Sequence, residues 1–169
     1  SLLSWGANAR GQVDDTPLGS DFIQASSGGF HSAALRANGS LMSWGNDSEL
    51  QVTNTPTGND FAQVSAGGDY SVALRTDGSL AAWGNDSELQ VANTPRGNSF
   101  TLVSAGGFHS VALRANGSLE SWGADWDLQV TNTPKGKDFA LISAGGRHSV
   151  ALRANGSLMS WGNNSELQI

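Results

Sequence analysis

The stretch Asp60–Val91 reads DFAQVSAGGDYSVALRTDGSLAAWGNDSELQV, and near-copies of it occur four times along a 169-residue chain, with its last third present a fifth time. Trp5, Trp44, Trp83, Trp122 and Trp161 are each 39 residues apart, so the phase never slips. The chain divides into a partial copy at 1–13 and full repeats at 14–52, 53–91, 92–130 and 131–169. A fixed period of this length marks a repeat architecture, in which one supersecondary unit cannot bury its apolar face alone and stacks on its neighbours. Function is then confined to positions where the copies differ.

Within the unit, alternation of apolar and polar residues points to strands. Phe61–Ala66 reads as a first strand closed by Gly67-Gly68, Tyr70–Arg75 as a second, and Ser79–Trp83 as a third ended by Gly84. Asp77-Gly78, matched by Asn38-Gly39, Asn116-Gly117 and Asn155-Gly156, predicts a two-residue type I′ hairpin, which needs positive φ at both central residues. A short fourth strand is expected around Leu89-Gln90-Val91, before the Asn93-Thr94-Pro95 turn leads onward. No segment carries a useful apolar stripe of period 3.6. The fold class is therefore all-β, a β-propeller of four-stranded antiparallel blades, one blade per repeat. Small residues such as Ala33, Ala34, Ala73 and Ala112 suit strands crowded near an axis, and the repeated Phe and Trp suit packing between blades.

Composition bounds the function. Glycine is 22 of 169 residues, roughly twice the usual share, and its fixed phases make it turn chemistry. The net charge of −6 argues against a nucleic-acid surface, which would carry a basic footprint. Cysteine is absent, so there are no disulfides and no thiol chemistry. No apolar run approaches the roughly 20 residues that span a bilayer, so membrane insertion is not expected, and no charged-then-apolar signal segment opens the chain.

The units AGGFHSVALRANGSLESWG (Ala105–Gly123) and AGGRHSVALRANGSLMSWG (Ala144–Gly162) resemble the RCC1 repeat, the regulator-of-chromosome-condensation type, and the resemblance runs through every unit. It implies blades of four antiparallel strands, usually in a seven-bladed ring closed by a shared strand. The chain departs from that pattern in two places. Only the first copy keeps the family's late glycine, as Gly11; later copies have Leu50, Leu89, Leu128 and Leu167, so a different turn is expected there. The insertion used by the family's nucleotide-exchange members is missing, and glycines (Gly68, Gly107, Gly146) stand where the family's plant photoreceptor has tryptophans. Neither exchange nor photoreception is implied. The nearest functional analogy is to secreted bacterial propellers of this type that inhibit β-lactamases; it implies a protein partner and leans toward a secreted or cell-surface setting.

Four blades are fewer than this family normally closes, and an open arc leaves unpaired edges and an apolar blade face. Self-association into a homo-oligomer is expected, against two alternatives: a piece of a longer ring, or tight closure of four blades alone.

Alternating strand direction places the Gly-Gly loops and the loops after Trp-Gly on one face, and the hairpins and Thr-Pro links on the other. Variation concentrates on the first face. The position after Gly-Gly reads Phe30, Asp69, Phe108 and Arg147, while the post-Trp loops change from Arg10 to a segment containing Trp126. Tyr70 replaces the histidine found in the other copies. Exposed aromatics on loops of a rigid scaffold are the usual anchors of a binding surface, so the candidate partner-binding face is Arg10, Phe30, Asp69, Tyr70, Phe108, Trp126 and Arg147. No catalytic, cofactor or metal site is expected. His31, His109 and His148 share one phase in separate blades and read as structural. The Asn-Asp-Ser-Glu loops lack the glycine-centred ligand alternation of a calcium loop and read as solvated turns. Arg36, Arg75, Arg114 and Arg153 recur unchanged and read as structural ion pairs or snorkelling stems. The chain is thus expected to be a non-enzymatic protein-binding scaffold. The alternatives are a lectin with one sugar site per blade, and a purely architectural or engineered repeat protein.

Overall fold

A computed structural model describes all residues from Ser1 to Ile169. It contains twelve strands and no helix: β1 (Phe22–Ser27), β2 (His31–Arg36), β3 (Leu41–Gly45), β4 (Phe61–Ala66), β5 (Tyr70–Arg75), β6 (Leu80–Gly84), β7 (Phe100–Ala105), β8 (His109–Arg114), β9 (Leu119–Gly123), β10 (Phe139–Ala144), β11 (His148–Arg153) and β12 (Leu158–Gly162). They form four separate three-stranded antiparallel sheets, one per repeat, each ordered as in sequence. Blade 1 packs on blade 2, blade 2 on blade 3 and blade 3 on blade 4, while no such packing joins blade 4 to blade 1.

The expected fourth strand is replaced. Leu50–Thr53 and its equivalents form a turn that crosses to the next blade. There the carbonyl of Gln51 accepts a hydrogen bond from Trp83 Nε1 at 3.0 Å, as Gln90 does from Trp122 and Gln129 from Trp161, both at 2.9 Å. The turn is held by a carboxylate: Asp47 Oδ1 accepts from the N–H groups of Val52 and Thr53 at 2.8 and 2.9 Å. These bonds, led by the Thr53 hydroxyl, hold the Asp47 carboxyl below its ordinary range. The acidic loop is therefore a capped turn whose carboxylate is already engaged.

Two further expectations are corrected. The hairpins are not type I′, because only their glycines have positive φ (84° at Gly39, 83° at Gly78). The Gly39 N–H bonds to the Arg36 carbonyl and the Arg36 N–H to the Ser40 carbonyl, which makes a three-residue loop with a glycine bulge. The Asn38 side chain faces forward and accepts from Ser40. Nor does the leucine substitution change the connecting turn. Leu50, Leu89, Leu128 and Leu167 adopt φ of 60–61°, the same left-handed region as Gly11 at 77°. The turn survives with a side chain in a conformation that disfavours one.

There is no single central core. Three clusters straddle the three seams: Leu35 and Leu41 with Phe61, Val64 and Trp83; Val72 with Phe100, Val103 and Trp122; Val111 with Phe139 and Trp161. Each large side chain so buried contributes about 1.5–3 kcal/mol, and all of it depends on having a neighbour. The Gly-Gly steps near the axis let backbones meet directly. Gly29 N–H donates to the Gly67 carbonyl at 3.0 Å, Gly68 to Gly106 at 3.2 Å and Gly107 to Gly145 at 3.1 Å. A Cβ on Gly28 would fall 2.2 Å from the Gly67 oxygen, so this position excludes any side chain. The recurrent arginines are structural. Arg36, Arg75 and Arg153 pair with Asp21, Asp60 and Asp138 at 2.6–3.0 Å and lie over Phe22, Phe61 and Phe139. In the third repeat Ser99 replaces that aspartate, and Arg114 pairs with Glu120 instead.

Candidate functional site

Above the seams, each post-Trp loop is tied to the Gly-Gly loop of its own blade. Asn46, Asn85 and Ala124 donate their N–H to the carbonyls of Phe30, Asp69 and Phe108, all at 2.9 Å. The two loop types thus share one rim, as strand direction requires. The rim carries Phe30, Phe108 and Trp126, exposed by 52%, 40% and 51%.

At the boundary of blades 3 and 4 the variable residues gather. The Phe108 and Trp126 rings lie 5.2 Å apart at 52°, a tilted pair favoured by their quadrupoles. The Arg147 guanidinium sits 5.1 Å above the Trp126 ring and 3.6 Å from Asp127 Oδ2. Asp127 Oδ1 accepts from Asn163 Nδ2 at 2.9 Å, so the carboxylate fastens the loop of blade 4 to the arm from blade 3. The result is an aromatic platform with a cation stacked on it, held at a fixed spacing. Beneath it the Gln129 amide nitrogen is buried without a partner. In neighbouring arms the same nitrogen donates to Asp69, Asn85 or Asn163, whereas here Ala124 offers no side-chain acceptor. The sequence reading left Asp127 and Gln129 out of the face; their signal was that repeat 3 replaces three of the four residues of the Asn-Asp-Ser-Glu loop and keeps only Asp125.

A second group lies at blades 1 and 2. Arg10, Phe30, Glu49 and Asp69 line a shallow depression of about 220 Å³. Burial, with Glu49 nearby, raises the Asp69 carboxyl above its ordinary range. The structure therefore divides the candidate residues between two places and does not join them in one site.

Tyr70 does not belong to this face. It is fully buried, its hydroxyl donating to the His109 carbonyl at 2.6 Å and meeting Ser110 Oγ at 2.8 Å. It occupies the phase of His31 and His109, whose Nε2 atoms meet Ser71 and Ser149 Oγ at 2.7 Å. The shared phase was the signal: a position repeated in every blade belongs to the seam.

Four antiparallel blades, one per repeat and each packed on the next, define a β-propeller-type repeat fold. The sequence profile of the regulator of chromosome condensation (RCC1) repeat matches residues 22–51, 61–90, 100–125 and 139–168, and the chain belongs to that family. No curated protein is similar to it in sequence. Among solved structures it is similar to the ectodomain of the Physcomitrella patens receptor kinase CR4, at 24% identity and a TM-score of 0.79, covering 96% of this chain and 47% of that one. It is also similar to yeast RCC1 (Prp20) in a complex with Kap60, at 22% identity and a TM-score of 0.73, covering 88% and 45%. The computationally designed Ika4 protein is 15% identical with a TM-score of 0.52, covering 87% of this chain and 94% of that one. The chain spans about half the length of the first two. No helix is long and apolar enough to cross a membrane.

Proposed function

We propose that this chain is a non-enzymatic scaffold that binds a protein partner through its loop rim, anchored at Phe108, Trp126 and Arg147, and that it also associates with copies of itself. The observation that carries the first part is the stacked Phe108–Trp126–Arg147 cluster. Trp and Arg are the residue types that dominate interface energetics, and here their geometry is set before any partner arrives, which lowers the ordering cost of binding. Membership of the RCC1 family supports a protein ligand, since yeast RCC1 is found bound to Kap60. The lectin reading loses its platform: Trp44, Trp83, Trp122 and Trp161 are buried to within 5% and cannot stack on a sugar.

The test compares partner capture by the wild type and by a Phe108→Ala/Trp126→Ala/Arg147→Ala variant whose thermal melt is unchanged. Loss of specifically captured protein in the variant supports the reading. An identical captured set, or capture reversed by free sugar, overturns it.

A further inference from the structure

Each seam joins two different surfaces, an outgoing one on the earlier blade and an incoming one on the later. The same atoms recur at all three. The outgoing side supplies a ring from His31, Tyr70 or His109 to a serine hydroxyl ahead. It also supplies the hydroxyl of Ser26, Ser65 or Ser104, which accepts from the N–H of Ala66, Ala105 or Ala144 at 2.9–3.0 Å. The glycine N–H near the axis and the arm carbonyl that receives tryptophan Nε1 complete the set.

Blade 4 presents this outgoing set to nothing. Its sequence keeps Ser143, Gly146, His148 and Gln168 in phase, and Leu141 and Leu158, whose counterparts Leu102 and Leu119 pack in the third seam, stand 54% and 67% exposed. Blade 1 keeps the incoming set, including Ser27, Ser32 and Trp44. In place of a preceding blade it holds the residues 1–13. Of these, the arm imitates a neighbour closely: Gln12 O accepts from Trp44 Nε1 at 3.0 Å, and Asn8 Oδ1 accepts from the N–H groups of Val13 and Asp14 at 2.9 and 3.1 Å. The stretch before it does not. Ser1–Trp5 pairs with no strand, Leu3 and Trp5 stay exposed, and a cavity of about 430 Å³ remains between them and Ala25, Ser27 and Ser32.

The occupant that fits is already written in the chain. Ser1–Val13 reads SLLSWGANARGQV and Ser157–Ile169 reads SLMSWGNNSELQI, the same element at both ends of the arc. We infer that a second copy seats its fourth blade on the first blade, head to tail, with its Ser157–Ile169 taking the place held by Ser1–Val13. The N-terminal thirteen residues are thereby an intramolecular competitor of assembly. This deepens the self-association part of the proposed function and rests on it. The contact continues an interface the chain makes three times. It is heterologous, and such contacts close into a ring when the rotation allows. With four blades in each copy, two copies bring eight blades to such a ring.

The test uses one substitution at two ends of the full chain, read by native mass and sedimentation over a concentration series. Asn8→Ala removes the acceptor that folds the N-terminal arm. Asn164→Ala removes the equivalent acceptor for Ile169 N–H in the arm that docks. Each deletes hydrogen bonding worth about 1 kcal/mol, so Asn8→Ala is expected to tighten association roughly fivefold and Asn164→Ala to weaken it by a similar factor. Val150→Asp, on the open face of blade 4, is expected to leave the chain monomeric. If the wild type associates but both asparagine variants shift the same way or not at all, the copies meet elsewhere; this inference fails and self-association stands. A strict monomer for wild type and Asn8→Ala alike overturns both.

Discussion

At the seam between blades 2 and 3, Tyr70 does what histidine does at the neighbouring seams; one residue earlier, on the rim, Asp69 stands where Phe30, Phe108 and Arg147 stand. A single residue step separates a fully buried ring from the variable, half-exposed position before it. The seam admits His or Tyr because either ring reaches the next blade's serine, and little else would satisfy that geometry. The rim admits Phe, Asp or Arg because its backbone bond to the post-Trp loop is independent of the side chain. What varies between copies is therefore free to carry recognition, and what repeats is committed to stacking.

The largest expected effect breaks that contrast directly. Trp122→Ala empties a seam and removes the bond to the Gln90 carbonyl, at a cost of about 3–5 kcal/mol. Trp126→Ala, four residues on and at the rim, is expected to move stability by no more than about 0.5 kcal/mol. Urea unfolding of the two variants decides it: comparable losses would mean that Trp126 supports the fold and that the rim is not free to vary.

A smaller effect is expected from acid. Burial lowers the pKa of His31 and of His109 to about 4, below the value near 6.5 in an unfolded chain. Between those values the unfolded state binds more protons, so stability rises with pH across the window and is lost as pH falls from about 6.5 toward 4. The loss approaches about 3 kcal/mol per histidine at the lower end. His109→Tyr, which copies the blade 2 seam, is expected to remove its share of that slope while leaving the melt at pH 7 little changed. An unaltered acid limb in this variant would place the sensitivity in other groups.

Much of the fold was legible because spacing and turn chemistry are local. The period followed from the Trp phases, and three of the strands and the shared rim from apolar alternation bounded by glycine turns. The fourth strand did not, because Leu89-Gln90-Val91 alternates as a strand does; only the position of Trp122 in the next blade shows that the Gln90 carbonyl is an acceptor across the seam. The hairpin type failed for a similar reason, since Asn-Gly serves both a two-residue turn and a glycine bulge. The candidate face was legible only as a list of exceptions. Its division into a cluster at Phe108–Trp126–Arg147 and a separate depression at Arg10–Phe30–Asp69 depends on which arm meets which blade, and no single repeat encodes that.

The smallest expected effect concerns the turn position that is glycine in the first copy and leucine in every full repeat. Leu50, Leu89 and Leu128 hold φ near 60° with about half their surface exposed, so each meets the left-handed penalty of about 1–2 kcal/mol with little burial to offset it. Glycine removes that penalty but adds freedom to the unfolded chain, which returns part of the gain. Each Leu→Gly change is therefore expected to stabilise by about 0.5–1 kcal/mol, and the three, lying in different blades, to add. Leu→Ala is the control, because it trims the side chain without relieving φ and gains nothing. If alanine and glycine raise the melting temperature equally, side-chain exposure and not backbone strain is what the turn suffers. If both lower it, the leucines pack on the rim in solution, and the boundary between seam and face must be redrawn at that residue.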